Sequence, residues 1–594
     1  MKTLHRLKQF YWPFFFLRFL WSFVTGYFFI SIITLFFVTG ITVIYPIVLK
    51  MTIDDVIGQG HFEWIPYLAV GFFLLMCIKA VATYLHQYYG DLFGIQTVYE
   101  LRNALYNKLE KLSFRFYDNA KTGDLLSRLT ADVEVFRFFL SFGAAQFINF
   151  ILLLTFGLGI MLYLNVSLAL VTLLAMPFLS VAVYRFDKKV HPAFKGIRKS
   201  FAQLTTKVQE NISGMQTVKA LAREDYEIEL FDNRNQGYKE TNIKAAQIWG
   251  TYFPLMELIG NICVVALLAY GGWLVIQGEL LLGELVAFFS LVWYIIGPLM
   301  HLGFILNTYS QSKAAGERLL EILDKKEEIP IPKNAIKPEQ IRGEVQFINV
   351  SHRYEQSEGD WALRNISFEA PPGKVIGLIG ATGSGKTSLT QLISRFYEPT
   401  SGTILIDGKP ITDYDPIALR KHIGVVFQET FLFSSTIRDN IAYGRPHIPL
   451  EKIIEAAKQA QAHDFIMRLP DGYDTMLGER GLGLSGGQKQ RLAIARALVI
   501  DPRILILDDA TSSVDMETEH KIQEALREAG KGRTTFIIAH RISSVKHADE
   551  ILVLDKGHIV ERGTHEQLLE KQGIYRRIFD IQFQDRDTLL SATS

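Results

Sequence analysis

The sequence predicts a two-part fold, a six-span α-helical membrane domain followed by an α/β P-loop domain. Three observations carry this. Nearly all the long apolar runs lie before Leu306. Six of those runs come close to the about 20 mostly apolar residues that a bilayer-spanning helix needs. Further on, KVIGLIG (Lys374–Gly380) runs straight into GATGSGKT (Gly380–Thr387) and then SLTQLISRFY (Ser388–Tyr397). A buried strand, a glycine-rich loop and an amphipathic helix in that order are the setting a P-loop demands.

The chain has 594 residues, too many for one ordinary domain. Its formal net charge of +1 gives no reason to expect nucleic acid as a partner. The mean hydropathy of +0.16 is high for a soluble protein. Cys77 and Cys263 are the only cysteines, each inside an apolar run. That excludes a disulfide framework or a cysteine zinc site and predicts small packing residues.

The spans are expected at about Phe23–Leu49, Tyr67–Tyr84, Phe138–Leu164, Ser167–Tyr184, Pro254–Gln277 and Leu285–Leu306. Lys2, Arg6, Lys8 and Arg18 precede the first span, and the long links around Arg102–Arg128 and Arg185–Lys244 are rich in both basic types. The short links Met51–Pro66, Asn165–Val166 and Gly278–Glu284 contain none. By the positive-inside rule, both termini and the long links are cytoplasmic. The basic, aromatic stretch Lys8–Phe23 lacks a small-residue cleavage site and reads as an interfacial helix. The long links are polar, helix-compatible and nearly free of proline, so they extend the membrane helices beyond the bilayer. Gly123 and Gly214 mark a short break in each. Lys79 and Glu257 are costly in hydrocarbon and are expected to face a cavity or another helix, with snorkelling to the interface the alternative for Lys79. Glu257 suits contact with a cationic substrate, a position near the inner interface, or pairing with a neighbouring helix.

In the second half, P-loop backbone amides cradle phosphates, Lys386 reaches the outer phosphates and the Thr387 hydroxyl is placed for Mg2+. LSGGQ (Leu484–Gln488) lies about a hundred residues later. Its glycines allow close backbone approach, Ser485 offers a hydroxyl, and the following helix directs its N-terminal dipole towards phosphate. ILILDD (Ile504–Asp509) reads as a buried parallel strand ending in two carboxylates. The ordered set resembles the nucleotide-binding domain of ATP-binding-cassette (ABC) proteins. FYDNAKTGDLLSRLTADV (Phe116–Val133) is close to an intracellular loop of ABC exporters. The resemblance covers nearly the whole chain and implies a membrane domain of the ABC exporter type followed by a P-loop ATPase domain. The divisions expected are 1–320 for the membrane domain, 321–342 for a linker, 343–582 for the cassette and 583–594 for a polar tail.

The resemblance further implies site roles and cofactors, ATP and Mg2+. Tyr354 would stack on adenine. Gly380, Thr382, Gly383, Ser384, Gly385, Lys386, Thr387 and Ser388 would hold the phosphates. Asp508, Thr387 and Gln428 would hold Mg2+, with Gln428 in VVFQET as the Q-loop glutamine. Ser485, Gly486, Gly487 and Gln488 would cap the nucleotide of an opposite subunit. Ser512-Ser513-Val514-Asp515 resembles the D-loop, and His540 in FIIAHR the switch histidine. Segments near Thr122–Leu126 and Gly214–Val218 would be coupling helices pressing on the ATPase domains.

One departure stands out. The family normally follows the Mg2+ aspartate with a glutamate that polarises the attacking water, whereas this chain has Asp509. Aspartate is one methylene shorter, which withdraws the carboxylate by about 1.5 Å. The chain's own site is then expected to bind ATP and hydrolyse it poorly, while its intact LSGGQ completes a competent site elsewhere. That pattern resembles one partner of the heterodimeric bacterial multidrug exporters. A homodimer that tolerates Asp509 through a repositioned water is the alternative. With a single P-loop and a single block of spans, the chain is a half-transporter that needs a second subunit. The implied surroundings are a bacterial plasma membrane, its lipids and an amphipathic small-molecule substrate.

Overall fold

The computed structural model describes residues 24–326, 329–354, 360–508, 524–525 and 530–582. The expected interfacial helix at Lys8–Phe23, the tail from 583, Asp509 and the D-loop-like 512–515 lie outside them. The chain divides into two compact units: Met1–Glu110 with Lys121–Lys325, and Lys111–Ala120 with Lys326–Ser594.

Six long helices build the first unit: α1 (Thr25–Ile57), α2 (Phe62–Lys111), α4 (Thr122–Leu164), α5 (Val166–Ser213), α7 (Glu224–Ile276) and α8 (Leu282–Leu323). Each covers one predicted span to within a residue or two and runs on beyond it. The 48 residues of α5 reach roughly 70 Å at 1.5 Å per residue, more than twice the about 30 Å hydrocarbon thickness. Two short helices interrupt the long links, α3 (Phe114–Asn119) and α6 (Met215–Ala220). Gly214 stands where expected, between α5 and α6. The other break is not at Gly123. Ala120 and Lys121 carry the extended backbone, and Gly123 sits inside the first turn of α4. Thr122–Leu126 therefore starts a long helix, and α3, eight residues earlier, is the short element. A glycine in a first turn weakens a helix without ending it.

The core of this unit is α8, whose Phe288, Leu291, Val292 and Ile295 are at most 1 % exposed. The most apolar window of α8 is 44 % buried within the chain, against 6 % for that of α2. That contrast leaves α2 to face lipid or another subunit. At the other end of α8, the Arg318 guanidinium donates to both Asp132 carboxylate oxygens of α4 at 2.8 and 2.6 Å. Near the start of α8, the Gly283 amide donates to Asp54 of α1 at 2.6 Å. Cys263 is buried as expected, whereas Cys77 is exposed on α2. Glu257 is exposed on α7, next to the fully buried Met256.

In the second unit, β1 (Val345–His352), β2 (Leu363–Ala370), β4 (Ser401–Ile406) and β5 (Lys409–Pro410) form an antiparallel sheet in the order β2-β1-β4-β5. A six-stranded sheet follows the order β10-β9-β3-β8-β7-β6, from β3 (Val375–Gly380), β6 (Ile423–Val426), β7 (Ile504–Asp508), β8 (Thr534–Ala539), β9 (Glu550–Asp555) and β10 (His558–Gly563). All neighbours from β9 to β6 are parallel. Every residue of β7 is buried, the pattern of a parallel strand covered on both faces. Helix α9 (Lys386–Ile393) leaves the P-loop, and α10 (Ile437–Ile441), α11 (Leu450–Gln459), α12 (His463–Met467) and α13 (Gly486–Leu498) gather around a second apolar core. Helix α9 is shorter than SLTQLISRFY suggests, because Arg395 takes a positive φ of 49°. Its buried guanidinium earns that strain by donating to the carbonyls of Tyr414 and Pro330 and to Glu398, at 2.6, 3.1 and 2.8 Å.

Candidate nucleotide site

The site lies along the carboxyl ends of the parallel strands, where open α/β sheets place ligands. Strand β3 delivers the P-loop into this edge. Gly385, with φ of +102°, precedes α9; a Cβ there would lie 2.5 Å from the Ala362 carbonyl oxygen. A Cβ on Gly380 would run into the Leu554 carbonyl. The glycines are thus fixed by backbone approach. Lys386 is buried, and its Nζ donates to the Gly380 and Ala381 carbonyls at 2.9 and 2.8 Å. The ammonium is folded across the loop that its own backbone forms. The buried Ser384 hydroxyl has no hydrogen-bond partner among the described residues. A buried cation and an orphaned hydroxyl within a glycine-rich loop that runs into a helix N-terminus fit a polyphosphate.

Strand β7, two strands from β3, brings Asp508 alongside. The Thr387 hydroxyl donates to Asp508 Oδ2 at 3.2 Å. Hydroxyl and carboxylate oxygens at that spacing form a hard donor set that fits Mg2+. Val426 of β6 pairs with Leu507 of β7, so Gln428 leaves β6 at the same edge and is exposed there. Ala539 pairs with Ile379, which places His540 just beyond β8 beside the P-loop strand. Its carbonyl accepts from Gln582 Nε2 at 2.8 Å.

The LSGGQ residues form a separate feature at the start of α13. The Ser485 hydroxyl accepts from the Gln488 amide at 3.3 Å, and the Gln488 side chain accepts from the Ser485 amide at 2.9 Å. This reciprocal pair is a capping box. Gln488 thereby shapes the helix start, and the amide end of α13 carries positive potential. Gly486 and Gly487 are the first two helical residues.

Tyr354 stands just past β1. Its hydroxyl bonds Ser388 Oγ and Gln391 Oε1 of α9 at 2.9 and 3.0 Å. The ring meets His352 edge-on at 5.0 Å and Tyr397 at 5.2 Å. The buried His352 bonds the Glu398 carbonyl through Nδ1 at 3.1 Å, so Nδ1 carries the proton, while Nε2 has no partner among the described residues. Burial lowers the His352 pKa, against the pull of the Glu398 carbonyl and with help from Arg115. Below about pH 6.5 the unfolded chain then binds the extra proton more readily than the folded one. Stability of this unit is expected in full above that pH and to fall as pH drops below it. Thermal unfolding at about pH 7.5 and about pH 5.5 checks this, with His352→Gln predicted to flatten the difference.

Two features escaped the motifs. Tyr397, at the end of the quoted helix string, donates to the Asp118 carboxylate of α3. Asn440, only 1 % exposed, ties down the loop after Gln428. It accepts from the Phe433 amide and Arg496 at 2.9 and 2.8 Å, and donates to the Phe433 and Thr436 carbonyls and the Ser435 hydroxyl. Nothing local in the sequence flags an asparagine whose partner lies 56 residues away. Asn440→Ala strands several buried groups and is expected to cost about 3 kcal/mol of unfolding free energy, measured by denaturant or thermal unfolding.

Six membrane-length helices and a P-loop sheet that also carries an LSGGQ helix define a transporter whose ATPase is built into the same chain. Residues 28–299 match the family described as ABC transporter transmembrane region, and residues 363–512 that described as ABC transporter. The chain is 60 % identical over 585 residues to "Uncharacterized ABC transporter ATP-binding protein YknU" of Bacillus subtilis (strain 168), covering 98 % of each. It is 38 % identical to "Putative multidrug export ATP-binding/permease protein YgaD" of the same organism, covering 91 % of this chain and 94 % of that protein. A solved bacterial Atm1-family ABC exporter with ATP bound superposes with a TM-score of 0.79 at 29 % identity, covering 94 % of this chain and 98 % of that one. The chain belongs to the ABC transporter family, as an exporter half-transporter with an ATPase coupled to transport.

Proposed function

We propose that this chain is one half of a dimeric exporter that moves amphipathic small molecules, drug-like or lipid-like, outward across a bacterial plasma membrane. Both termini and the ATPase unit face the cytoplasm in this reading, which the placement of basic residues in the long links supports. The observation that carries the proposal is the Lys386–Thr387–Asp508 cluster, an ATP-shaped site in the same chain as six spanning helices.

In this reading Tyr354 stacks on adenine. Gly380 and Thr382 to Ser388 hold the phosphates. Thr387, Asp508 and Gln428 hold Mg2+, which neutralises phosphate charge when bound. His540 fixes the γ-phosphate geometry and Asp509 orients the attacking water. Ser485, Gly486, Gly487 and Gln488 cap the nucleotide of the second subunit, so neither subunit completes a site alone. ATP binding draws the two cassettes together, and α3 and α6 pass that closure to the spans. Hydrolysis resets the cycle.

Asp509 favours a heterodimer in which the partner supplies the competent catalytic carboxylate. A homodimer with a working Asp509 site is the second reading, and an ATP-gated conduit the third. Inverted membrane vesicles from source cells test pumping, with ethidium as the amphipathic cationic probe. ATP is expected to drive accumulation against the gradient, and Lys386→Ala to abolish it. Dye that only equilibrates on ATP addition would favour gating and refute the export reading.

A further inference from the structure

Helix α3 belongs by its contacts to the ATPase unit, and two aromatic lines join it to the nucleotide edge. The first runs from Phe114, whose ring lies 4.5 Å from that of Phe396, on to Phe427, stacked on Phe396 at 6.3 Å. Phe427 immediately precedes Gln428. The second runs through Tyr397. Its hydroxyl donates to both Asp118 carboxylate oxygens at 2.9 Å, and its ring stands perpendicular to Tyr354 at 5.2 Å. Tyr354 in turn bonds Ser388 and Gln391 on the helix that leaves the P-loop.

The two lines differ in kind. Phe114 against Phe396 is apolar contact, which tolerates sliding. Tyr397 to Asp118 is a charge-assisted hydrogen bond with fixed direction, the stronger and more geometry-dependent of the two. Burial, then Asp118 itself, pushes the Tyr397 hydroxyl well above its ordinary pKa. It therefore remains a donor throughout the physiological range.

We propose that Tyr397 is the positioning residue that makes α3 responsive to nucleotide, with its ring reading the placement of Tyr354 and its hydroxyl holding α3 through Asp118. The inference rests on the reading of Tyr354 as the adenine platform. A nucleotide seated on Tyr354 restrains that ring, the perpendicular Tyr397 ring loses freedom with it, and Asp118 is held more firmly. Because α3 is joined to α2 and α4 by only two residues on each side, its restraint is felt at the feet of both helices. Tyr397 touches neither phosphate nor adenine in this account, so its loss should spare ATP affinity.

The test uses the full chain in lipid nanodiscs, with hydrogen exchange of residues 112–121 measured with and without MgATP, and ATP affinity measured in parallel. In the wild type, MgATP is expected to slow exchange of this segment. Tyr397→Phe keeps the ring and loses the hydroxyl; its segment should exchange about tenfold faster with nucleotide present, with ATP affinity within about twofold of wild type. Asp118→Ala should behave likewise, and Asp118→Asn, whose amide oxygen accepts the same bond, should restore most of the response. A Tyr397→Phe response equal to wild type overturns the inference. So does a wild-type segment indifferent to MgATP, or a Tyr397→Phe that weakens ATP binding as much as Tyr354→Ala. Tyr354→Ala with unchanged ATP affinity would instead sink the adenine assignment, which separates the two failures.

Discussion

Replacing Asp509 with glutamate is expected to raise the ATP turnover of the purified chain on the order of a hundredfold, because displacement of a reacting group by about 1 Å costs that much. The added methylene returns the carboxylate to the reach the family uses, while Thr387 and Asp508, paired at 3.2 Å, keep the neighbouring oxygens where they are. Steady-state ATPase of the chain alone, wild type beside Asp509→Glu, checks it. A nearly silent wild type and a revived variant mean that the native chain relies on a different partner for its competent site. A brisk wild type that glutamate does not improve means that Asp509 works as it stands, and the homodimer becomes the better account.

The second large effect is expected at Lys386. Its ammonium is buried and held by the Gly380 and Ala381 carbonyls at 2.9 and 2.8 Å, which keeps the charge within the loop. Phosphate oxygens are stronger acceptors than those carbonyls, and a hydrogen bond to a charged group contributes about 1.5–3 kcal/mol. Lys386→Ala is therefore expected to weaken ATP binding on the order of a hundredfold, about 3 kcal/mol lost. Equilibrium binding of a fluorescent ATP analogue measures it, with thermal unfolding to establish that α9 still forms. Unchanged affinity would remove the P-loop from the account.

What could be read in advance follows the range over which each interaction acts. The spans are legible because apolar content over about 20 residues decides insertion by itself. The P-loop is legible because glycine spacing, strand and helix are consecutive, and the close approaches at Gly380 and Gly385 explain why those glycines are needed. Helix ends were harder. Gly123 suggested the break, yet the chain turns at Ala120 and Lys121, where no residue type advertises it. The end of α9 was hidden in the same way, since Arg395 holds its strained backbone through partners at Pro330 and Tyr414. Tyr397 and Asp118 are 279 residues apart, and no local pattern joins a tyrosine to an aspartate over that distance. Gln488, expected as a nucleotide contact, caps its own helix, a role that the motif conceals.

Each ATP site is expected to be shared between two subunits, the P-loop from one and LSGGQ from the other. Complementation in the Asp509→Glu background decides whether the site is shared. Lys386→Ala destroys one half of the site and Ser485→Arg the other, and each variant alone should be inactive. Reconstituted together in the same membranes, they should recover ATPase activity, because a mixed dimer holds one intact P-loop facing one intact LSGGQ. Activity from Ser485→Arg alone, or a mixture that stays silent although the two chains co-purify, would contradict the shared site.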